Sequence, residues 1–316
     1  MKTHGKITVT ILNFNGKKHL ERLLPSVLEQ TYPEYEVVVV DNCSSEDDVA
    51  WMRENYPSVK VVLAPKNEGY SALNRVFALP ESHDSAYFMF LTNDLILDRR
   101  VLEHGQQVLA ADATIGLLGF EMLGAAKWVD PSELALASAR LGEPVVKETK
   151  LFGGAAMMFR REIYDQLGGI DPVYFCYCDE DDFQTRARAA GYRIAVLNTP
   201  IWHNAGNNTL AATSRWSAYL QCRNDIRFRI VNFGLLRAAA GAIKGALIAC
   251  TPFVKVDRAS PYEVRRRPFS PARNALIVLE AWWWNVVHLF DTLRTRGEVR
   301  RKTRQARWRR AQGSIL

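Results

Sequence analysis

The sequence predicts an α/β fold: an open, doubly wound, mostly parallel mixed sheet flanked by helices, followed by a helical C-terminal extension. Three observations predict it. Strand-like and helix-like runs alternate through roughly the first hundred residues. One run, "YEVVVVDN", is continuously apolar, as expected of a strand buried on both faces of a parallel sheet. Beyond about residue 206 the apolar period is helical throughout.

In chain order, "KITVTILNF" is β-branched and apolar and stops before Gly16, so it reads as the first strand. "KKHLERLLPSVLEQTY" follows, with Leu20, Leu23, Leu24, Val27 and Leu28 at helical spacing. The valine run is the second strand and ends on Asp41. "EDDVAWMRENYP" reads as a short helix, "VKVVLAP" as the third strand and "YSALNRVFAL" as another helix. "AYFMFLTNDLIL" is a fourth strand interrupted by polar residues. "VLEHGQQVLAADATIG" looks helical, and "DPSELALASARLGEPVVKETK" reads as a helix and a loop. "GGAAMMFRREIYDQLGGID" is a strand turning into a helix that stops at Gly168 and Gly169. After "CYCDEDDF" comes a helix capped at Gly191, then a strand ending in "WHN". These patterns predict one domain over 1–210 and a helical, basic region over 211–316.

Hydrophobic residues make up 48% of the 316 and charged residues 24%, which fits a folded globular chain and excludes a disordered one. No charged head precedes a long apolar core at the N-terminus, so no signal peptide is expected. Five scattered cysteines suit reduced thiols in a cytoplasm. Cys176 and Cys178 lack a second Cys/His pair at zinc spacing. The formal charge of +7 is uneven: Asp257 to Arg310 carries 14 Lys and Arg against 5 Asp and Glu, and the remainder is slightly acidic.

Two late apolar stretches, "LLRAAAGAIKGALIACTPFVKV" and "NALIVLEAWWWNVVHLF", are broken by polar residues and fall short of spanning helices. The tryptophans and the following "RTRGEVRRKTRQARWRR" predict a basic amphipathic element lying on an anionic membrane surface. The competing reading is a C-terminal helix packed on the core with a solvated basic tail. Nucleic acid is not an expected partner, because no RNA-binding module accompanies the arginines.

Several side chains carry possible chemistry. Asp41 at a strand end suits the imide N–H of a uracil or thymine ring, and equally the cap of the next helix. Asn93 and Asp94 suit Mg²⁺ or Mn²⁺ held against a diphosphate, or a simple Asx turn. His203 is a metal ligand, a phosphate contact or a structural histidine. Four consecutive acids, Asp179 to Asp182, repel one another unless a partner offsets them. Asp182 lies four residues before Arg186 and can pair with it on one helix face. Asp179 and Glu180 are expected to precede that helix and to be free to face a cleft.

Seven segments in order, "TILNFNG", "VVVVDNCSS", "NEGYSALN", "LTNDLIL", "FGGAAMMFRREIYDQLGGID", "DEDDFQTRARAAGYRI" and "WHN", resemble glycosyltransferase family 2. These are inverting enzymes of the GT-A, Rossmann-like fold; the branch most similar is the bacterial rhamnosyltransferase type. The resemblance covers about residues 5 to 210. It implies a nucleotide-sugar donor, dTDP- or UDP-linked, a glycan or lipid-linked glycan acceptor, and a Mg²⁺ or Mn²⁺ cofactor. It implies that Asn13, Asn15, Asp41, Asn67, Gly69, Asn74 and Asn93 surround the nucleotide and donor. Asp94 and His203 would hold the metal or diphosphate, and Gly153 and Gly154 would line the acceptor side. Glu180 falls at the general-base position, with Asp179 beside it and Asp181 a rival. The implied site of action is the inner face of the cytoplasmic membrane, in cell-surface polysaccharide synthesis.

The sequence departs from the family pattern at Thr92, where an acid or amide is usual, so metal binding rests mainly on Asp94. Glu46 stands for a common Asp, the base pair reads Asp-Glu, and Asn207 lies near a usual hydroxyl position. A nucleotidyltransferase is the rival enzyme class, but "LNFNGKK" has one glycine where a phosphate loop needs several. A non-catalytic nucleotide-sugar-binding or scaffolding protein is the other alternative.

Overall fold

The computed structural model describes residues 5–124, 128–204, 214–250 and 269–313. The chain forms two compact units. One comprises Met1–Phe175, Asp179–Asn207 and Thr303–Leu316; the other comprises Cys176–Cys178 and Asn208–Lys302.

The first unit is built on a mixed nine-stranded sheet. Strands β1 (Ile7–Asn13), β2 (Tyr35–Asp41), β3 (Lys60–Leu63) and β4 (Tyr87–Thr92) run parallel in the spatial order 3-2-1-4. The remaining strands are β5 (Leu95–Leu97), β6 (Ile115–Leu123), β7 (Val146–Thr149), β8 (Ala156–Arg160) and β9 (Arg193–His203). β8 joins antiparallel to β4 and β6, β9 runs parallel to β6, and β5 and β7 pair antiparallel with β9. Alternate residues of β2 and β4 enter two different cores. Val37, Val39, Met89 and Leu91 lie in one, and Val38, Val40, Phe88 and Phe90 in the other. Both faces of the sheet are therefore covered, as the valine run predicts.

Helices α1 (Lys17–Leu28), α2 (Glu46–Asn55), α3 (Val101–Ala111), α4 (Pro131–Leu141), α5 (Arg161–Leu167) and α6 (Asp179–Ala189) supply the cover. Leu20, Leu23, Leu24 and Val27 form the buried stripe of α1. Four details differ from the sequence reading. "VLEHGQQVLAADATIG" is helical only to Ala111, and its last two residues open the unexpected strand β6. "YSALNRVFAL" forms tight 3-10 turns over Gly69–Ala78, because Ser71 and Asn74 bond to backbone carbonyls and divert the chain from the α form. "AYFMFLTNDLIL" divides at Asn93, and its last three residues leave β4 to pair with β9. The expected loop after α4 contains β7.

The second unit is helical: α7 (Arg215–Asn232), α8 (Leu235–Cys250), α9 (Pro271–Val287) and the start of α10 (Leu289–Gly313). Ile226, Ile230 and Ala238 form its small core, with Ala242, Trp282 and Leu289 packed around them. Asn224 donates to the carbonyls of Cys176 and Tyr177 at 2.7 and 2.9 Å, and Arg227 donates to Thr292 Oγ1 at 2.9 Å. The end of α10 groups with the first unit and is not a free tail there. Thr303 and Ala306 are buried, and the Arg310 guanidinium lies 3.7 Å from the centre of the Tyr192 ring.

Candidate active site

Strand direction decides where the polar residues gather. β1, β2, β4 and β9 all point the same way, and β5 and β8 begin at the end where these four finish. One edge of the sheet thus collects Asn13, Asp41, Thr92 and His203 from strand ends, Asp94 just before β5, and Gly153 and Gly154 just before β8. In open α/β sheets this edge is where ligands bind.

Asn13 is the hub of the first cluster. Its Nδ2 donates to Asp41 Oδ2 at 3.0 Å, and its Oδ1 accepts from Asn93 Nδ2 at 3.0 Å. Asp41 Oδ1 accepts from the Ser44 N–H at 2.9 Å. Asp41 is buried, and each oxygen has one protein donor, which leaves lone pairs for a ligand. Asn15 has a positive φ of 48° and accepts from the Ser45 N–H at 3.0 Å, fixing the loop after β1 to the loop after β2. Asp48 Oδ2 also receives the Lys17 N–H at 3.2 Å.

Asn42 organises the second cluster. It donates to Asn67 Oδ1 at 2.9 Å and to the Gly69 carbonyl at 3.1 Å, and accepts from the Glu68 N–H at 2.8 Å. Gly69 has a φ of +64°, and a Cβ there would sit 1.9 Å from the Phe175 carbonyl oxygen, so only glycine fits. Both ends of the Asn74 amide are engaged by Ile170, at 2.8 Å to its carbonyl and 2.9 Å from its N–H. Asn74 therefore fixes the chain after α5.

Asp94 and His203 form the third cluster. Asp94 Oδ2 lies 3.3 Å from His203 Nε2, and Asp94 Oδ1 accepts from the Thr92 hydroxyl at 2.6 Å. Burial pushes the Asp94 carboxyl up, but the bonds and charge from His203, with help from Thr92, outweigh it and hold the pKa below its usual value. Thr92 thus orients the acid that it does not duplicate. Asn204 follows, fully buried, with its N–H on the Asp94 carbonyl at 2.9 Å and both side-chain amide atoms without a partner among the described residues. An unpaired buried amide beside an anionic carboxylate and an imidazole suits a polar ligand.

A divalent cation fits this donor set. Asp94 is anionic and His203 faces the same oxygen. Among the described residues, no three His, Cys, Asp or Glu side chains are grouped to hold an ion unaided. Phosphate oxygens and water would complete the coordination.

The acidic run forms the fourth cluster, and here the sequence reading needs correction. All four acids lie in the first turn of α6, so Asp179 and Glu180 begin the helix instead of preceding it. The helix dipole stabilises acids at that end. Asp182 pairs with Arg186 at 2.7 Å, both side chains about 95% or more buried, and Arg186 also reaches the carbonyls of Leu167, Gly168 and Gly169. Glu180 turns the other way. Its side chain lies on Gly154, where an added Cβ would come within 2.8 Å of Glu180 Cβ. Burial, the charge of Asp179 and a hydrogen bond to Asp179 push Glu180 well above the usual carboxylate pKa; burial raises Asp179 as well. Ionisation of one carboxyl therefore disfavours ionisation of the other. The Tyr70 hydroxyl donates to the Gly154 carbonyl and so fixes the peptide against which Glu180 rests.

Of the residues predicted from sequence, the fold gathers Asn13, Asn15, Asp41 and Asn93 in one network, joins Asp94 to His203, and sets Glu180 on Gly154. Gly153 precedes Gly154 in the same loop, and Asp181 shares the first turn of α6 without the Gly154 contact described for Glu180. Glu46 opens α2, while Asn207 lies outside the described residues. Asn42, Tyr70 and Asn204 were not anticipated. Asn42 directly follows Asp41, and that adjacency was the available signal; nothing in sequence links Tyr70 to Gly154, 84 positions away.

Comparison with known proteins follows the same edge of the sheet. The chain is 26% identical over 260 residues to an uncharacterized glycosyltransferase of Nostoc sp., covering 75% of this chain and 78% of that protein. It is 24% identical to an N-acetylglucosaminyl-diphospho-decaprenol L-rhamnosyltransferase of Mycobacterium tuberculosis, over 64% of this chain and 77% of that one. Among solved structures it resembles GalNAc-T7 with UDP, GalNAc and Mn²⁺, with a TM-score of 0.59 at 14% identity, covering 90% of this chain. This chain spans only 58% of the GalNAc-T7 chain, and the likeness concerns the GT-A fold. The sequence model of glycosyl transferase family 21 matches residues 136–254, and that of glycosyl transferase family 2 matches residues 8–168. That second match takes in just over half of the chain, from β1 to the end of α5: the chain is a transferase belonging to glycosyl transferase family 2.

Proposed function

We propose that this protein is an inverting glycosyltransferase that moves a sugar, possessing the rhamnosyl type as its first candidate, from a dTDP- or UDP-linked donor to a hydroxyl of a lipid-linked glycan. The observation that carries the reading is the Asp179–Glu180 carboxyl pair lodged against Gly154, at the edge of the sheet that also bears Asp94 and His203. A carboxyl with a raised pKa is suited to exchange protons near neutral pH.

Glu180 takes the proton of the acceptor hydroxyl as its oxygen attacks the anomeric carbon, in line with the departing diphosphate. The new C–O bond forms as the bond to the diphosphate breaks, and the anomeric configuration inverts. Asp41 and Asn13 present acceptors and donors to a pyrimidine ring, with Asn15 and Asn93 holding their loops. Gly153 and Gly154 keep the acceptor side open beside Glu180. Asp94 and His203 would hold Mg²⁺ or Mn²⁺, which when bound supplies positive charge to the leaving diphosphate. The name of the mycobacterial relative specifies a rhamnosyl transfer to a diphospho-decaprenol-linked sugar. That supports a lipid-linked acceptor in cell-surface polysaccharide synthesis, and hence work at the inner face of the cytoplasmic membrane. The proposed division of labour gives the chemistry to residues 1–210 and membrane contact to 211–316.

The test is Glu180→Gln, which keeps size and removes the base. Nucleoside diphosphate release with a panel of dTDP- and UDP-sugars should fall by about 10²- to 10⁴-fold in kcat. Turnover near that of the unaltered protein overturns the assignment of Glu180.

A further inference from the structure

Helix α9 has two apolar faces. Ile277, Val278 and Ala281 point into the second unit and are buried. Leu276, Leu279, Trp283 and Val286 recur at three- and four-residue intervals on the outside and are 58–69% exposed. Phe290, four residues beyond Val286 at the head of α10, is 80% exposed. Helix α8, which packs beside α9 and α7, repeats the pattern with Leu236, Ile243 and Leu247, all 56–89% exposed. A surface helix in water ordinarily turns polar residues outward. Two neighbouring helices with apolar outer stripes mark a surface with a partner.

The surrounding charge identifies the partner. Arg237 and Lys244 are exposed on α8, Arg273 is exposed near the start of α9, and Arg294 is exposed on α10. Two acids of this region are offset: Glu280 pairs with Arg215, and Asp291 with Arg294 at 3.6 Å. Trp216, Tyr219, Trp283 and Trp284 line an open groove beside the Arg215–Glu280 pair. Amphipathic aromatic rings next to cations are the side chains that settle at the level of lipid headgroups. Pairing two copies through this face would instead bring its cations together. No helix among the described residues is long and apolar enough to cross a membrane.

We propose that the outer face of α8 and α9 docks on an anionic lipid bilayer, with both helices lying in the interface, Trp283 and Phe290 inserted, and the arginines and Lys244 at the headgroup phosphates. The surface deepens the lipid-linked acceptor reading and rests on it for its purpose. It also moves membrane contact away from the basic end of α10, whose Thr303 and Ala306 are buried in the first unit. Deleting residues 294–316 would therefore disturb folding.

The experiment is flotation of the full chain with vesicles of phosphatidylcholine alone and of phosphatidylcholine with one third phosphatidylglycerol. The unaltered protein should float with the anionic vesicles and release at high salt. The triple variant Leu279→Glu, Trp283→Glu, Phe290→Glu should lose at least about tenfold in partitioning, since acids are costly below the headgroups. Its thermal midpoint should stay unchanged, because all three residues are exposed. Independently of any folding effect, vesicles with brominated acyl chains should quench the tryptophan fluorescence of the unaltered protein, and less so of Trp283→Phe. Failure of the unaltered protein to float, equal flotation of the triple variant, or absence of quenching overturns the proposal. So does a dimer in sedimentation that the triple variant dissociates while neither protein binds vesicles. Flotation without nucleotide release from any sugar donor leaves the surface standing and removes the transferase assignment instead.

Discussion

Replacing Arg186 with Met isolates the structural half of the acidic run. In the native chain Arg186 donates to Asp182 Oδ2 at 2.7 Å, and to the carbonyls of Leu167, Gly168 and Gly169 at 3.2, 3.4 and 2.7 Å. Asp182 is 2% exposed and Arg186 4%, so water does not screen the pair. Met fills the aliphatic volume but supplies no donor, and a buried carboxylate is left without its cation. Removal of one partner of such a pair costs about 3–5 kcal/mol. The carbonyls at the end of α5 lose a shared donor and add a further cost of about 1 kcal/mol or more. At about 2–4 °C per kcal/mol for a unit of this size, the thermal midpoint of the first unit should fall by roughly 8–24 °C. Pairing the change with Asp182→Leu removes the stranded charge, and the double variant should recover half or more of the loss. Calorimetry on the single and double variants reads both numbers. A single variant within about 1 kcal/mol of the native chain, or a double variant no more stable than Arg186→Met, refutes the view that this buried pair sets the position of α6.

The functional half of the run answers to pH. Asp179 raises the Glu180 pKa, so Asp179→Asn should move the acid limb of the kcat profile to lower pH while retaining most of the turnover; a collapse matching Glu180→Gln would make Asp179 the base. Both carboxyls have raised folded pKa values, so the stability they confer is complete below the ordinary carboxylate range and is lost as pH rises through the raised values. Glu180→Gln should therefore flatten the decline of the thermal midpoint as pH rises from the ordinary carboxylate range upward, measured by scanning fluorimetry from acidic through neutral buffers. Asp94→Asn should raise the Mn²⁺ concentration for half-maximal activity by about 10–100-fold; an unchanged Mn²⁺ titration would take Asp94 out of the metal set.

Much of the first unit is legible in the sequence because its strands are buried on both faces. The valines before Asp41 admit one reading, and a carboxylate at the end of such a strand lies at the ligand-binding edge by topology alone. The stop of α5 was equally plain, since Gly168 takes a φ of +79° that favours glycine. Other features depend on contacts distant in sequence. A three-residue strand such as β5 is too short to show a period, and only its partner β9 defines it. Four adjacent acids argue against one helical turn until the helix dipole and a buried arginine are counted. Helix α9 is apolar on several sides, so its sequence does not say which face the second unit buries. In α10 dense charge hides the small residues, Thr303 and Ala306, that seat it.

On the proposed reading, Thr92 and Asp94 together let a transferase site work with one acid where the family pattern usually adds a second acid or an amide. The Thr92 hydroxyl lies 2.6 Å from Asp94 Oδ1 and helps keep that carboxyl ionised despite burial. It contributes orientation and polarity but no charge. A site with a single carboxylate and an imidazole holds Mg²⁺ or Mn²⁺ weakly by itself, because hard cations draw their affinity from several anionic oxygens. The diphosphate of the donor carries those oxygens. On the proposed reading, metal and nucleotide sugar would bind with positive coupling, each raising the affinity for the other by the same factor. Asn204 fits this scheme, since its backbone N–H is tied to the Asp94 carbonyl and its buried amide would gain partners from a bound donor. On the function proposed above, Thr92 would make the nucleotide part of the metal site and leave the proton chemistry to Glu180.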